Sequence, residues 1–143
     1  MKTKFATTIA CSALLLAAAV PVVAHHAFSA EFDANRPVLL KGKVSKIEWV
    51  NPHTWIHIVA SDVTISGEKK TVAAPEEWMV EGGTPNTLLR RGITKNTLAV
   101  GTDIVVDGFQ SKDRTLRANG RDLTFPDGRK LFMGSSGTGA PTP

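Results

Sequence analysis

The chain lacks most of the side chains that carry covalent chemistry. It has no tyrosine and a single cysteine, Cys11, which lies in an apolar leader. Once that leader is removed no thiol remains, which excludes disulfides, cysteine nucleophiles and cysteine-type metal sites. No serine stands in a nucleophile elbow. Asp103 and Asp107 fall on a regular strand pattern and read as outward residues, and Glu76, Glu77 and Glu81 read as a solvated strand edge. Enzyme chemistry therefore has little support. The chain has no internal repeat and no run of like charge of the kind that nucleic acid or anionic lipid requires.

The leader explains much of the basic balance. Lys2 and Lys4 precede an apolar stretch from Phe5 to Val20, and Val22-Val23-Ala24 obeys the small-residue rule of signal peptidase. Residues 1–24 read as a secretory signal peptide cleaved after Ala24, with an apolar core too short to span a membrane. Too little apolar sequence precedes Cys11 for a lipoprotein signal. Loss of Lys2 and Lys4 lowers 17 Lys and Arg to 15 against 13 Asp and Glu, a net charge of +2. The expectation is an exported, periplasmic protein with no membrane span and no nucleic-acid partner.

The mature chain is organised around Trp49 to Val59, which holds two of the three tryptophans and two of the four histidines. Pro52 lacks an N–H and drives Asn51 out of the helical region, so Asn51-Pro52 predicts a corner. Beyond it Thr54, Ile56, Ile58 and Ala60 alternate with His53, Trp55, His57 and Val59. That period of two and the β-branched residues predict a strand with Ile56 and Ile58 in the core and His53, Trp55 and His57 on the other face.

The same reasoning predicts a first strand from Val38 to Val50, bent near Gly42, where the apolar phase shifts. A second runs from His53 to Ile65, a third from Glu77 to Glu81, a fourth around Ile104 to Gly108 and a fifth from Leu116 to Phe125. Ser66 to Lys70 reads as a turn, and Leu131 to Met133 as a short edge. Thr84, Pro85 and Gly92 mark a short helix, 85–91, with Leu88 and Leu89 facing the core. Phe28 and Phe32 read as the anchors of an amino-terminal arm. Five strands with one helix between the third and fourth is the order of a small OB-like barrel, mainly all-β. The domain covers 25–133, and the Gly, Ser, Thr and Pro residues of 134–143 predict a disordered tail.

Cleavage after Ala24 makes His25 the first residue. A terminal amine and the Nδ1 of the same histidine chelate one ion, and a further imidazole completes a T-shaped set of three nitrogens that suits copper(II) better than zinc. His53 is the expected third ligand, because it begins a strand beside a rigid turn, and His26 is its substitute. His53 and His57 stand roughly 13 Å apart on a regular strand, too far to share one ion.

His25-His26-Ala27-Phe28, Trp49-Val50-Asn51-Pro52-His53 with Trp55-Ile56, Glu81-Gly82-Gly83 with Pro85-Asn86, and Leu89-Arg90-Arg91-Gly92 together resemble an uncharacterised family of small exported bacterial proteins, a domain of unknown function. The resemblance covers nearly all of the mature chain. It implies export and a compact β domain, with no catalytic residues carried over. The segment 71–76 is longer than the family pattern implies. Two functional readings stand at this point: a periplasmic copper-binding protein, and a metal-free envelope binding or interaction module that takes a small ligand or partner on the Trp55/His57 face.

Overall fold

The computed structural model describes residues 28–134; the expected signal peptide, His25, His26 and residues 135–143 of the expected tail lie outside the described residues. One helical turn, α1, spans 28–31. It leads into β1 (Phe32–Glu48), followed by β2 (Trp55–Ile65), β3 (Glu68–Lys70), β4 (Glu76–Glu81), α2 (Pro85–Arg90), β5 (Asp103–Ser111), β6 (Arg117–Thr124) and β7 (Lys130–Phe132). Among the described residues no helix is long and apolar enough to cross a membrane.

The strands form one mixed sheet in the order β1-β5-β6-β4-β2-β3, with β7 paired to β6. β1 also pairs with β2, so both edges of this long strand are bonded. Among the described residues only the β4–β6 pair is parallel. The apolar phase shift in β1 corresponds to breaks of register at Lys41/Gly42 and Val44/Lys46. Gly42 is required there, since a Cβ would lie 2.2 Å from the Val59 carbonyl oxygen. Gly108 allows a similar approach, with a Cβ position 2.3 Å from the Asn119 oxygen.

The core collects the alternate side chains of these strands. Leu40, Ile56, Ile58, Trp78, Val80, Leu88, Val106 and Leu123 are fully buried, and Ile104 is 3% exposed. The α2 signals act as read: Thr84 accepts a hydrogen bond from the Thr87 N–H, Pro85 opens the helix, and Gly92 follows with φ of +83°.

Several boundaries differ from expectation. β1 begins six residues earlier than Val38, because Phe32 is buried and pairs opposite Ser111. The turn after β2 is only Ser66-Gly67, both at positive φ, the geometry of a two-residue hairpin. Glu68–Lys70 therefore returns as β3 instead of remaining turn. Leu89 faces solvent, because a six-residue helix seats only Leu88 in the core. Ile93 and Leu98 complete that side, carried by a turn in which Thr94 and Thr97 exchange backbone-to-hydroxyl hydrogen bonds of 2.8 and 3.2 Å.

Candidate functional site

Ile56, Val80 and Ala118 are core positions on adjacent strands, so their neighbours Trp55, Glu81 and Asn119 face the other way. The register sets Trp55 opposite Glu81, Glu81 opposite Asn119, and Asn119 opposite Phe109. These four residues form one row across β2, β4, β6 and β5.

The α1 segment lies over the β5–β6 end of this row. Phe28 stacks on Phe32 at 5.9 Å and meets Phe109 edge-on at 5.7 Å. The Lys112 N–H donates to the Glu31 carbonyl oxygen at 2.8 Å, and Lys112 Nζ donates to the Ser29 carbonyl oxygen. Arg114 pairs with Asp33 at 3.2 Å. Arg117 pairs with Glu31 at 3.3 Å while its guanidinium sits 5.3 Å above the Trp55 ring. Two aromatic contacts and three cations thus hold the amino-terminal arm in one place.

Glu81 is only 8% exposed, which corrects its reading as a solvated edge residue. Asn119 Nδ2 donates to Glu81 Oε1 at 3.3 Å. Burial pushes the Glu81 carboxyl above the ordinary carboxylate range, and Glu31 adds to that; His53, Arg117 and the Asn119 hydrogen bond oppose it. Glu76 and Glu77 do keep to the edge: Glu76 pairs with Lys70 at 2.8 Å, and Glu77 accepts from Ser45.

His53 stands at the end of the row. Thr54 fixes the corner behind it, since its backbone N–H donates to the Gly83 carbonyl oxygen and its own carbonyl oxygen accepts from the Gly82 N–H. The His53 Nδ1 lies 3.4 Å from Glu81 Oε1 and 3.4 Å from the Gly82 carbonyl oxygen. Its Nε2 has no partner among the described residues, and the side chain is 36% exposed. His57 differs: Nε2 meets Glu48 Oε1 at 2.8 Å, Nδ1 lies 3.8 Å from Glu77 Oε1, and only 12% of the side chain is exposed. Hydrogen bonds from Lys46 and His57 lower the Glu48 pKa.

Of the residues singled out in the sequence, His53 and Trp55 come together at this site, and His57 lies one alternation further along β2. His25 and His26 lie outside the described residues. Among the described residues no group of three or more His, Cys, Asp and Glu could hold a metal ion, so a full ligand set around His53 would have to draw on chain beyond them. Sequence reasoning missed Glu81, Asn119, Arg117 and Glu31. One signal was available for Glu81: it keeps the phase opposite to Trp78 and Val80, immediately before Gly82-Gly83.

No curated protein and no solved structure matches the chain. A family model does, over residues 12–119, a span that contains the His53 corner, Glu81 and Asn119; the chain belongs to that family of unknown function, DUF6152.

Proposed function

We propose that the protein is an exported, periplasmic binding protein, built as a small OB-like barrel, that holds copper(II) between His25 and His53. Support for the barrel lies in the pairings: β1 bonds β2, β2 bonds β4, β4 bonds β6, β6 bonds β5, and β5 bonds β1, with α2 between β4 and β5, the third and fourth of these strands in chain order. The parallel pair closes between the third and fifth, as the OB order requires.

The copper reading is carried by the position of the arm. Phe28 packs on Phe109, and Phe109 is two strands from Glu81, which touches His53. Two strand spacings are roughly 10 Å, and the three residues from His25 to Ala27 extend by about the same length. The reading supposes that a terminal amine created by cleavage after Ala24 meets the Nε2 of His53, which has no partner among the described residues. The amine, the His25 Nδ1 and that Nε2 supply three nitrogens for copper(II). His26 is the alternative third ligand. The site suits carriage or sequestration of the ion. Protons compete for the same nitrogens, so binding weakens on acidification.

The metal-free reading places a ligand on the Trp55/His57 face, where Arg117 already covers the indole and two carboxylates occupy the imidazole. Intact mass of the exported protein, followed by thermal unfolding with and without a chelator, separates the two readings. Cleavage after Ala24 and a chelator-dependent fall in stability support copper. A retained leader, or unfolding that ignores the chelator, overturns it.

A further inference from the structure

We propose that the groove beside α2 docks an acidic segment of another protein, which inserts an apolar side chain between Trp49 and Leu89. The groove has a volume of about 290 Å³, and Trp49, Pro85, Leu89 and Lys95 are among the residues that line it. It runs between Trp49, just after β1, and α2 with the turn that follows. Trp49 packs against the core and is half-buried. Leu89 is 48% exposed, and Leu88 already takes the core position of α2, so packing within the domain does not account for a second leucine there. Large apolar side chains gathered at a concavity with a polar rim mark a contact surface.

Charge selects the partner. Residues 82–102 contain Arg90, Arg91 and Lys95 and no Asp or Glu. Of the 15 Lys and Arg that follow Lys4, 12 therefore lie elsewhere, against 13 Asp and Glu, so this segment holds the positive excess of the domain. Elsewhere Lys43, Lys69 and Lys70 pair with Asp103, Asp62 and Glu76. Arg91 is committed differently: it stacks on Phe132 at 4.5 Å and donates to the Gly134 carbonyl oxygen at 2.7 Å. Arg90 and Lys95 are exposed and form no ion pair among the described residues; Arg90 reaches only the Thr87 hydroxyl, at 3.5 Å. Carboxylates of a partner would gain from both cations. A second copy would bring the same positive segment to the contact and be repelled. Anionic lipid is disfavoured, because the six-residue α2 offers no long amphipathic face and Trp49 lines a concavity. The groove shares no residue with the His53 site, and its test needs no copper.

The probe is a synthetic library of short peptides whose central positions are Leu, Phe or Trp and whose flanks are Asp and Glu, screened against the metal-free full chain. A second library replaces the acidic flanks with Lys and Arg. The acidic library is expected to yield binders and the basic library none, with binding that weakens at high salt. In 15N–1H NMR the best binder is expected to move the Trp49 indole and Leu89 resonances and to leave the buried Trp78 indole in place. Leu89→Asp, and separately Arg90→Glu combined with Lys95→Glu, all at exposed positions, are each expected to weaken that binder about tenfold or more. An acidic library without binders, equal binding from the basic library, or shifts that miss Trp49 and Leu89 overturns the proposal. Binding to phosphatidylglycerol vesicles that Leu89→Asp abolishes, with no peptide bound, also overturns it and assigns the face to lipid.

Discussion

His53 and His57 lie four residues apart, share the face opposite Ile56 and Ile58, and are each set beside a glutamate, yet their surroundings make them different groups. At His57 both ring nitrogens approach carboxylates, Glu48 and Glu77, carried by the strands on either side. That histidine is consumed by cross-strand pairing. At His53, among the described residues, only Nδ1 is engaged, by groups at the end of β4, and Nε2 is open. The glutamates differ in the same way. Glu48 is half exposed and held in its charged form by Lys46 and His57; Glu81 is buried and pushed toward its neutral form. The contrast shows that the face of a strand on which a histidine lies does not decide its role. What decides it is whether the adjacent strand supplies partners for one nitrogen or for two.

The largest expected effect erases the comparison altogether. Ile56→Ala removes a fully buried side chain on the core face of the strand that carries His57, and a loss of about 2–5 kcal/mol in denaturant unfolding is expected. A loss below about 1 kcal/mol would mean that this strand does not bury its Ile face as described.

Arg117→Ala acts on one side only. It removes the stack on Trp55 and the pair with Glu31, both partly exposed, at an expected cost of about 1 kcal/mol. Indole NMR shifts should move for Trp55 and not for Trp78, and His57 should be undisturbed. Equal disturbance of both histidines would dissolve the distinction between the two environments.

The pH dependence sharpens the contrast through opposite signs. The lowered pKa of Glu48 gives stability that is present above its unfolded value of 4.5 and is lost as pH falls through the folded value. The raised pKa of Glu81 has the reverse sign: its contribution is present below 4.5 and is lost as pH rises through the higher folded value. Relative to Glu48→Gln, the wild type gains stability with rising pH across the acid limb. Relative to Glu81→Gln, it loses stability with rising pH above about 4.5. Urea midpoints from about pH 3 to about pH 8 read both differences. Parallel slopes would contradict the assignment of opposite environments.

Much of this fold was legible because its signals are local. Pro52, the Ile56/Ile58 alternation, the Thr84-Pro85 helix start and Gly92 each act within a few residues, and each does what its chemistry predicts. Gly42 also announced the irregularity of β1, though only the approach of Val59 explains why glycine is needed. The site was less legible, because it is made by register between distant strands. Glu81 reads as a solvated strand-edge residue until β6 places Asn119 beside it. Arg117 falls inside the predicted fifth strand, and nothing local marks it as the cation that sits above Trp55. In contrast, the hint that Phe28 and Phe32 anchor an arm was local, and it located the segment that points back to His25.

The central claim is that His53, and not His57, closes a copper site with a free amino terminus at His25. The most direct measurement is a copper(II) titration of four forms: the chain beginning at His25, the same chain with one added residue before His25, His53→Ala and His57→Ala. The account predicts one ion bound by the first form, affinity weakened about tenfold or more in the second and third, and no change in the fourth. Equal binding with and without the added residue, or unchanged binding in His53→Ala, would contradict it.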